Sequence, residues 1–278
     1  MCGAQIQIRL GDSSRTLYSE LHDGLQEGTP QADTAHQLLR ERSAPKLWAR
    51  IRLALAGRVS WNDALVALTR IAELREGAGA DTARRYRARI AAGSLATPPG
   101  VDPADLLPPL RAIDLELARG RRGDAAMLSD LLPRVPRGDY DLADAWLFGR
   151  LGAGAADTVA GRFLAATDQG LRIRYLTLLS FSTDTGLIPL LGRIYSAPDS
   201  FGLPKRIAIR ASDGLLWIGT RHSLETLRDA RAAARARGVF ADPSLNHADR
   251  DFLGADSLAA LARTGRWIDD WLVRLGGP

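Results

Sequence analysis

Apolar and polar positions along the chain recur in a way that predicts pairs of short helices. The clearest stretch runs from residue 141 to 237, where a helix, a polar turn and a second helix follow one another three times. The units begin at Leu142, Leu171 and Leu203, which are 29 and 32 residues apart. This period is typical of helical repeats, in which each helix pair covers the apolar face of the next.

Glycine and small polar residues mark the turn inside each unit. They are Gly152 and Gly154 in the first unit, residues 182–186 in the second and residues 219–222 in the third. In the second unit, the spacing of i, i+3, i+4 and i+7 predicts one buried face on both helices. The positions expected there are Ile173, Leu176, Leu179, Phe181, Leu187, Leu190, Leu191 and Ile194.

The second unit, LRIRYLTLLSFSTDTGLIPLLGRIY, resembles the HEAT-like repeat family. Arg172 and Arg174 open its first helix, an apolar run and a polar turn follow, and Pro189 lies in the first turns of the second helix. The resemblance implies an all-α fold, a right-handed α-solenoid of HEAT-like helical hairpins with a C-terminal capping helix. It identifies a scaffold rather than an activity.

The same pattern divides the chain into four parts of one continuous solenoid. Residues 1–79 hold N-terminal helices that include one divergent repeat, and 80–104 form a basic helix and a linker rich in Pro and Gly. HEAT-like repeats occupy 105–238, and 239–278 form a loop and the capping helix. We predict that the 76–105 region supports no buried face and is the best candidate for a boundary.

Composition agrees with a helical protein and gives it a basic character. Aromatic residues are 6% of the chain, the formal net charge is +5 and the pI about 9.8. Lysine occurs only at Lys46 and Lys205, so arginine carries nearly all the positive charge. A positive field favours acidic proteins or nucleic acids as partners. We predict an acidic protein surface as the partner, with nucleic acid as the alternative and no membrane.

The number and spacing of the cysteine and histidine residues do not match the common catalytic motifs that use them. Cys2 is the one cysteine, which leaves no intramolecular disulfide, and with no leader or apolar span the expected location is the cytoplasm. The opening MCG resembles the class II glutamine amidotransferases, but the resemblance ends after three residues. The histidines occur singly, and no HExxH, GxSxG or phosphate loop is present. We therefore predict no catalytic residue, no metal and no cofactor.

Two pairs of aspartate and tryptophan raise an enzymatic alternative. Asp213 and Trp217 lie one turn apart in the third unit, and Asp144 and Trp146 lie in the first. The pairs are similar to the HEAT-like alkylpurine DNA glycosylases, where an Asp near Trp on a basic surface handles the damaged nucleotide. That family's Trp precedes its Asp, and here the order is reversed. The other interpretation is that both Trp face the core and both Asp face solvent.

Arginines supply the candidate binding residues. Arg172, Arg174, Lys205, Arg206 and Arg210 recur at the starts of first helices and are expected to bond the preceding turn, as in HEAT-like repeats. The other candidates form two groups. Four lie on one short helix that has few acidic residues nearby, and three lie on the second helices of the repeat units. These candidates are Arg84, Arg85, Arg87, Arg89, Arg162, Arg193 and Arg228.

Three function classes follow from these patterns. The first is a non-catalytic HEAT-like solenoid that binds a protein, for example a bacterial immunity or adaptor protein that blocks an effector. The second is a HEAT-like DNA-binding or DNA-repair enzyme of the glycosylase type, and the third is an N-terminal-Cys hydrolase. The residues favour the first class and leave the oligomeric state open.

Overall fold

A computed structural model of the protein describes residues 40–238 together with Thr34, Gln37 and Leu38. This range holds eleven α-helices and no strand, which confirms the predicted all-α class there. The predicted capping helix, Cys2 and the histidines other than His222 lie outside it. The helices are α1 Ala44–Leu55, α2 Trp61–Leu74, α3 Gly77–Ala91, α4 Leu107–Arg122, α5 Asp124–Leu131, α6 Leu142–Phe148, α7 Ala153–Ala165, α8 Gln169–Leu179, α9 Ile188–Ser196, α10 Ala208–Ile218 and α11 Arg221–Ala236.

Single 3₁₀ turns lie between or before several of these helices. They are Pro103–Leu106, Val135–Arg137, Thr185–Leu187, Pro198–Phe201 and Lys205–Ile207. The chain forms two compact units, of which the first holds residues 40–132 and 140–147 of the described range. The second holds residues 133–139 and 148–238.

The first unit is built around α2 and α4. Helix α1 packs on α2, α2 packs on α4, and α3 and α5 both pack on α4. Pro45 lies in the first turn of α1, where its missing N–H costs nothing, and Gly57 follows the helix with a φ of +67°. The apolar stripe of α1 is buried at Leu47, Trp48 and Ile51, as its spacing predicts.

The stretch predicted to lack a buried face contains α3, and that prediction is wrong. Ala80 and Ala83 of α3 and Leu95 beyond it are buried in the core of the first unit. Tyr86 stacks on Trp48 with ring centroids 5.4 Å apart. Alanine lets α3 approach closely, so a helix with few large apolar residues can still pack. The division between the compact units falls at residues 132–148.

A buried carboxylate joins α2, α4 and α5 in the first unit. Glu116 of α4 is 0% exposed and accepts hydrogen bonds from Arg75 at 3.0 Å and from Arg119 at 3.3 Å. Arg119 also donates to Asp124 at 2.6 Å. Arg75 follows α2 with a φ of +55°, a conformation usual for glycine. Arginine occupies this position because its guanidinium satisfies the buried charge of Glu116.

In the second unit, consecutive helices pack in a recurring order. Helix α7 packs on α8, α9 packs on both α10 and α11, α8 packs on α10, and α10 packs on α11. Polar side chains cap the N-termini of α8 and α11. Asp168 accepts from the backbone N–H of Leu171 at 2.7 Å, and Thr220 accepts from that of Ser223 at 3.1 Å. Of the eight predicted core positions, only Ile173 is half-buried rather than buried.

Two glycines of the second compact unit lie in close contact with neighbouring backbone. A Cβ at Gly149, just after α6, would overlap the carbonyl oxygen of Phe181, just after α8. A Cβ at Gly214 in α10 would lie 3.1 Å from the Cα of Ser180 and 3.0 Å from Cδ1 of Leu191. At Gly149 backbone therefore meets backbone and only glycine fits, whereas at Gly214 a side chain would require small shifts of its neighbours.

The arginines that open α8 bond to loop carbonyls, as expected. Arg172 donates to the carbonyl of Ala166 at 2.7 Å and to that of Phe201, so it ties the turn before α8 to the loop after α9. Arg174 donates to the carbonyl of Pro136. The prediction that Arg172 bonds the preceding turn is confirmed. Neither side chain belongs to the candidate binding set.

Candidate binding surface

The exposed side of α3 carries a basic stripe. Its buried side holds Ala80 and Ala83, so the positions facing solvent along the helix include Asp81, Arg84, Arg85 and Arg89. Asp81, Arg85 and Arg89 follow one another at intervals of four residues, and Arg84 lies next to Arg85, so the four positions lie on the same side of the helix. We call the exposed residues Arg84, Arg85 and Arg89 the α3 stripe.

All four candidate arginines of α3 have hydrogen-bond or ion-pair partners within the chain. Arg84 pairs with Asp81 one turn earlier, and Arg87 pairs with Asp114 of α4. Arg85 donates to Oγ1 of Thr82 at 3.0 Å. The packing of α3 on α4 supplies Asp114, a partner that the spacing of residues cannot reveal.

Two members of the α3 stripe nevertheless keep their charge uncompensated. Arg85 bonds a hydroxyl, and Arg89 donates to the carbonyl of Ser94 at 3.4 Å and lies 6.0 Å from the centre of the Tyr86 ring. Within the described part of the chain, neither forms an ion pair with a carboxylate. Their neutral partners hold the side chains in place while leaving the positive charge at the surface.

A shallow groove of about 640 Å³ lies between α3 and α4, next to this stripe. Its lining combines small or apolar residues with charged ones. The residues are Gly77, Ala80, Asp81, Arg84, Asp114, Leu115, Leu117, Ala118 and Arg121. Arg121 and the two leucines were missed by sequence reasoning, because only the packing of α3 on α4 brings them beside Arg84. Arg121 is exposed and bonds no other described residue.

The candidate arginines of the second unit are exposed on the second helices, α7, α9 and α11. Arg162 has no partner among the described residues. Arg193 lies 5.9 Å from the centre of the Phe201 ring, and Arg228 donates to neighbouring Asp229 at 3.2 Å. Phe201 also contacts Phe163 of α7, with ring centroids 5.8 Å apart. Arg193 is therefore held over an aromatic cluster.

Asp144, the first aspartate of the alternative site, is buried and hydrogen-bonded at the N-terminus of α6. Asp144 is 1% exposed and accepts from Arg111 at 3.0 Å. Asp141 and Asp144 also accept from each other's backbone N–H groups, at 3.1 Å and 3.2 Å, in a reciprocal cap of α6. Trp146 packs against the core of the first unit. A carboxylate engaged in this way serves to hold α4 and α6 together.

Asp213 is a different kind of carboxylate. It is half-buried in α10 and has no hydrogen bond to any described residue. Burial raises its pKa from 3.8 to about 6, although Arg210 opposes the shift. Trp217, one turn later, is buried, and Asp213 and Trp217 belong to the second compact unit while Asp144 and Trp146 belong to the first. The four residues are therefore not members of one compact unit.

Asp213→Asn is expected to stabilise the protein at about pH 8 by ~1 to 2 kcal/mol. This is less than the full free energy that the pKa shift corresponds to, because the half-buried side chain is partly screened by solvent. The folded pKa, about 6, lies above the unfolded value of 3.8. The ionised form is thus disfavoured by folding, and stability is lost as the pH rises through about 6. The gain should vanish near pH 4, where wild-type Asp213 is protonated in the folded state.

Urea unfolding of both proteins across this pH range measures the difference. Asp157→Asn, on the exposed side of α7, is the matched control and should leave stability within about 0.5 kcal/mol at each pH. A variant that is less stable than wild type at pH 8 would show that ionised Asp213 is stabilising.

Other chemistry is sparse in the range that the structure covers. No group of three or more His, Cys, Asp or Glu side chains there could hold a metal ion. His222 is exposed at the start of α11. None of the described helices is both long enough and apolar enough to cross a membrane.

Compared with known proteins, the chain matches no family model, no curated protein and no solved structure.

Proposed function

We propose that this protein is a non-catalytic HEAT-like solenoid that binds a protein partner through an acidic surface of that partner. The observation that carries the proposal is the α3 stripe, where Arg85 and Arg89 are held by neutral groups and keep their charge at the surface. Arginine is enriched in protein interfaces because its planar guanidinium bonds carboxylates and stacks on apolar groups.

The order of packing in the second unit supports stacked helical hairpins, and we propose that they form a right-handed solenoid. The second helix of one predicted repeat packs on the first helix of the next at α7 with α8, and again at α9 with α10. Within the second unit, Gly149 lies close to the backbone of Phe181, and Gly214 lies close to that of Ser180. Stacked hairpins make contacts of both kinds. In the proposed solenoid, a capping helix within 239–278 covers the last repeat.

The charge arrangement favours a protein over nucleic acid. Arg87 is paired with Asp114 of α4, so a phosphate at this arginine would have to compete with a carboxylate of the same chain. Nucleic-acid affinity rests on the number of phosphates neutralised. A protein interface needs fewer charges, because apolar contacts supply most of its affinity. The groove beside the stripe offers such contacts through Leu115 and Leu117.

An immunity or adaptor role fits this surface. A protein that blocks an effector acts by covering it, which requires complementary shape and charge rather than catalytic groups. The second unit carries exposed arginines of its own on its second helices, Arg162, Arg193 and Arg228, and we propose that these also contact acidic groups.

One observation favours a DNA glycosylase-type enzyme as the second candidate. Asp213 has no hydrogen bond to a described residue and has a raised pKa, and it lies one turn from Trp217. Carboxylates with perturbed pKa values are more frequent at active sites than elsewhere. An assay for release of alkylated bases from duplex DNA tests this candidate. Release that is lost in Asp213→Asn would put the enzyme first, and we expect no release.

Binding of fluorescent polyglutamate by the full chain tests the proposed surface. Replacing Arg85 and Arg89 together by Ala should weaken binding about three- to tenfold, since each exposed charge contributes up to ~1 kcal/mol. Replacing Arg52 and Arg58 by Ala removes the same charge from exposed positions elsewhere in the first unit and is the matched control. Equal losses of affinity in the two double variants would mean that the net charge of the protein determines binding, and that the α3 stripe is not a specific site.

A further inference from the structure

We infer that the groove between α3 and α4 receives an acidic amphipathic helix of the partner, with carboxylates at positions i and i+7 and apolar side chains between them. This inference rests on the proposed function and deepens it, because it states which part of a partner binds and how. The middle of the groove holds small and apolar residues beside Asp81, one end holds Arg121, and the other end holds Arg84 with Asp114.

The direction of the two helices sets the layout of the groove. Arg75, just before α3, bonds Glu116 and lies 3.8 Å from the Cβ position of Gly120, whereas Arg87 late in α3 bonds Asp114. The helices therefore run in opposite directions. Arg121 of α4 then lies at the end near Gly77, and Arg84 of α3 lies at the other end.

Measured along the axes of α3 and α4, the offset between the two arginines matches one helical repeat of seven residues. From Gly77 to Arg84, and from Asp114 to Arg121, the chain advances seven residues, which is about 10 Å along a helix axis at ~1.5 Å per residue. Residues i and i+7 of a bound helix are separated by the same distance and lie on one face. Residues i+3 and i+4 of that helix then face the middle of the groove, where Ala80, Leu117 and Ala118 lie.

Both cationic ends can accept a carboxylate from outside. Arg121 has no partner among the described residues. Arg84 is paired only with Asp81, and with side chains 61% and 62% exposed this pair is weak enough to exchange. Asp114 is engaged by Arg87, which leaves the groove and the adjacent stripe with excess positive charge. An apolar floor has no counterpart in a nucleic-acid backbone, so a protein segment is the occupant.

A displayed library of random 16-residue peptides, selected against the full chain, tests the inference. Enriched peptides should carry Asp or Glu seven residues apart with Leu, Ile or Phe between them. Their affinity, measured by fluorescence anisotropy of the synthetic peptides, should fall at least about tenfold in Arg121→Glu, which reverses one end. It should fall similarly in Ala118→Phe, which fills the floor. Arg52→Glu, on the exposed side of α1, should change affinity less than about twofold.

The outcomes separate this inference from the proposed function. Enriched peptides without the acidic and apolar pattern, or with affinities that both groove variants leave unchanged, overturn the inference. If no peptide is enriched while polyglutamate binding still depends on Arg85 and Arg89, the groove is wrong and the proposed function stands. If the chain binds neither polyglutamate nor any acidic peptide, both fall. Circular dichroism shows that Arg121→Glu and Ala118→Phe remain folded before either is scored.

Discussion

Gly149→Ala should destabilise the second unit by ~3 kcal/mol or more. The cost exceeds that of most overpacking substitutions, because the added methyl group clashes with a backbone carbonyl and not with a movable side chain. The added Cβ would overlap the carbonyl oxygen of Phe181 and lie 2.9 Å from its carbonyl carbon. A side chain could rotate away, but a carbonyl cannot move without shifting the end of α8. Urea unfolding followed by far-UV circular dichroism measures the loss.

The matched control uses the same substitution where space is open. Gly161 lies inside α7, and a Cβ there meets nothing within 4 Å. Gly161→Ala should leave the protein as stable or add ~0.5 to 1 kcal/mol, since alanine favours the helical state. If both variants had equal stability, Gly149 and Phe181 would not be in the close contact described above.

Leu176→Ala should cost ~2 to 5 kcal/mol, the range for a large-to-small change in a core. Leu176 is 0% exposed on α8, which packs on both α7 and α10. The loss therefore removes contacts that a stacked arrangement of repeats relies on. Hydrogen exchange of α8 and α10 should accelerate along with the fall in unfolding free energy, because both helices border the cavity.

Leu164→Ala is the control for that change. Leu164 is 52% exposed on α7, so the same truncation should alter stability by less than about 0.5 kcal/mol. A cost for Leu176→Ala below about 0.5 kcal/mol would count against the predicted register of the second repeat.

Helices with a strong apolar period could be predicted from the sequence, and weakly patterned ones could not. The stripe of Leu47, Trp48 and Ile51 is buried as its spacing indicates. Helix α3 was underestimated, because Ala80 and Ala83 give a weak hydrophobic signal although they allow close packing. The end of α2 was also unpredictable, since Arg75 takes a glycine-like conformation to reach Glu116, which lies far along the chain.

The candidate site was only partly accessible to sequence reasoning. The arginines of α3 were found by their density, but their partners depend on tertiary packing, as with Arg87 and Asp114. The groove forms only where α4 packs against α3, so the sequence alone could not identify Arg121 as a binding residue. Asp144 and Asp213 looked alike as residues beside tryptophan, and burial and hydrogen bonding separate them.

Titrating one fluorescent duplex DNA and one fluorescent polyglutamate into the wild-type chain at the same physiological salt tests the central claim most directly. Non-specific DNA binders show dissociation constants of ~1 to 100 µM under these conditions. The account predicts that duplex DNA binds more weakly than that range and that polyglutamate binds more tightly than DNA. Micromolar or tighter DNA binding, with a salt slope of about 0.9 per phosphate and lost when Arg84, Arg85, Arg87 and Arg89 are replaced by Ala, would contradict it.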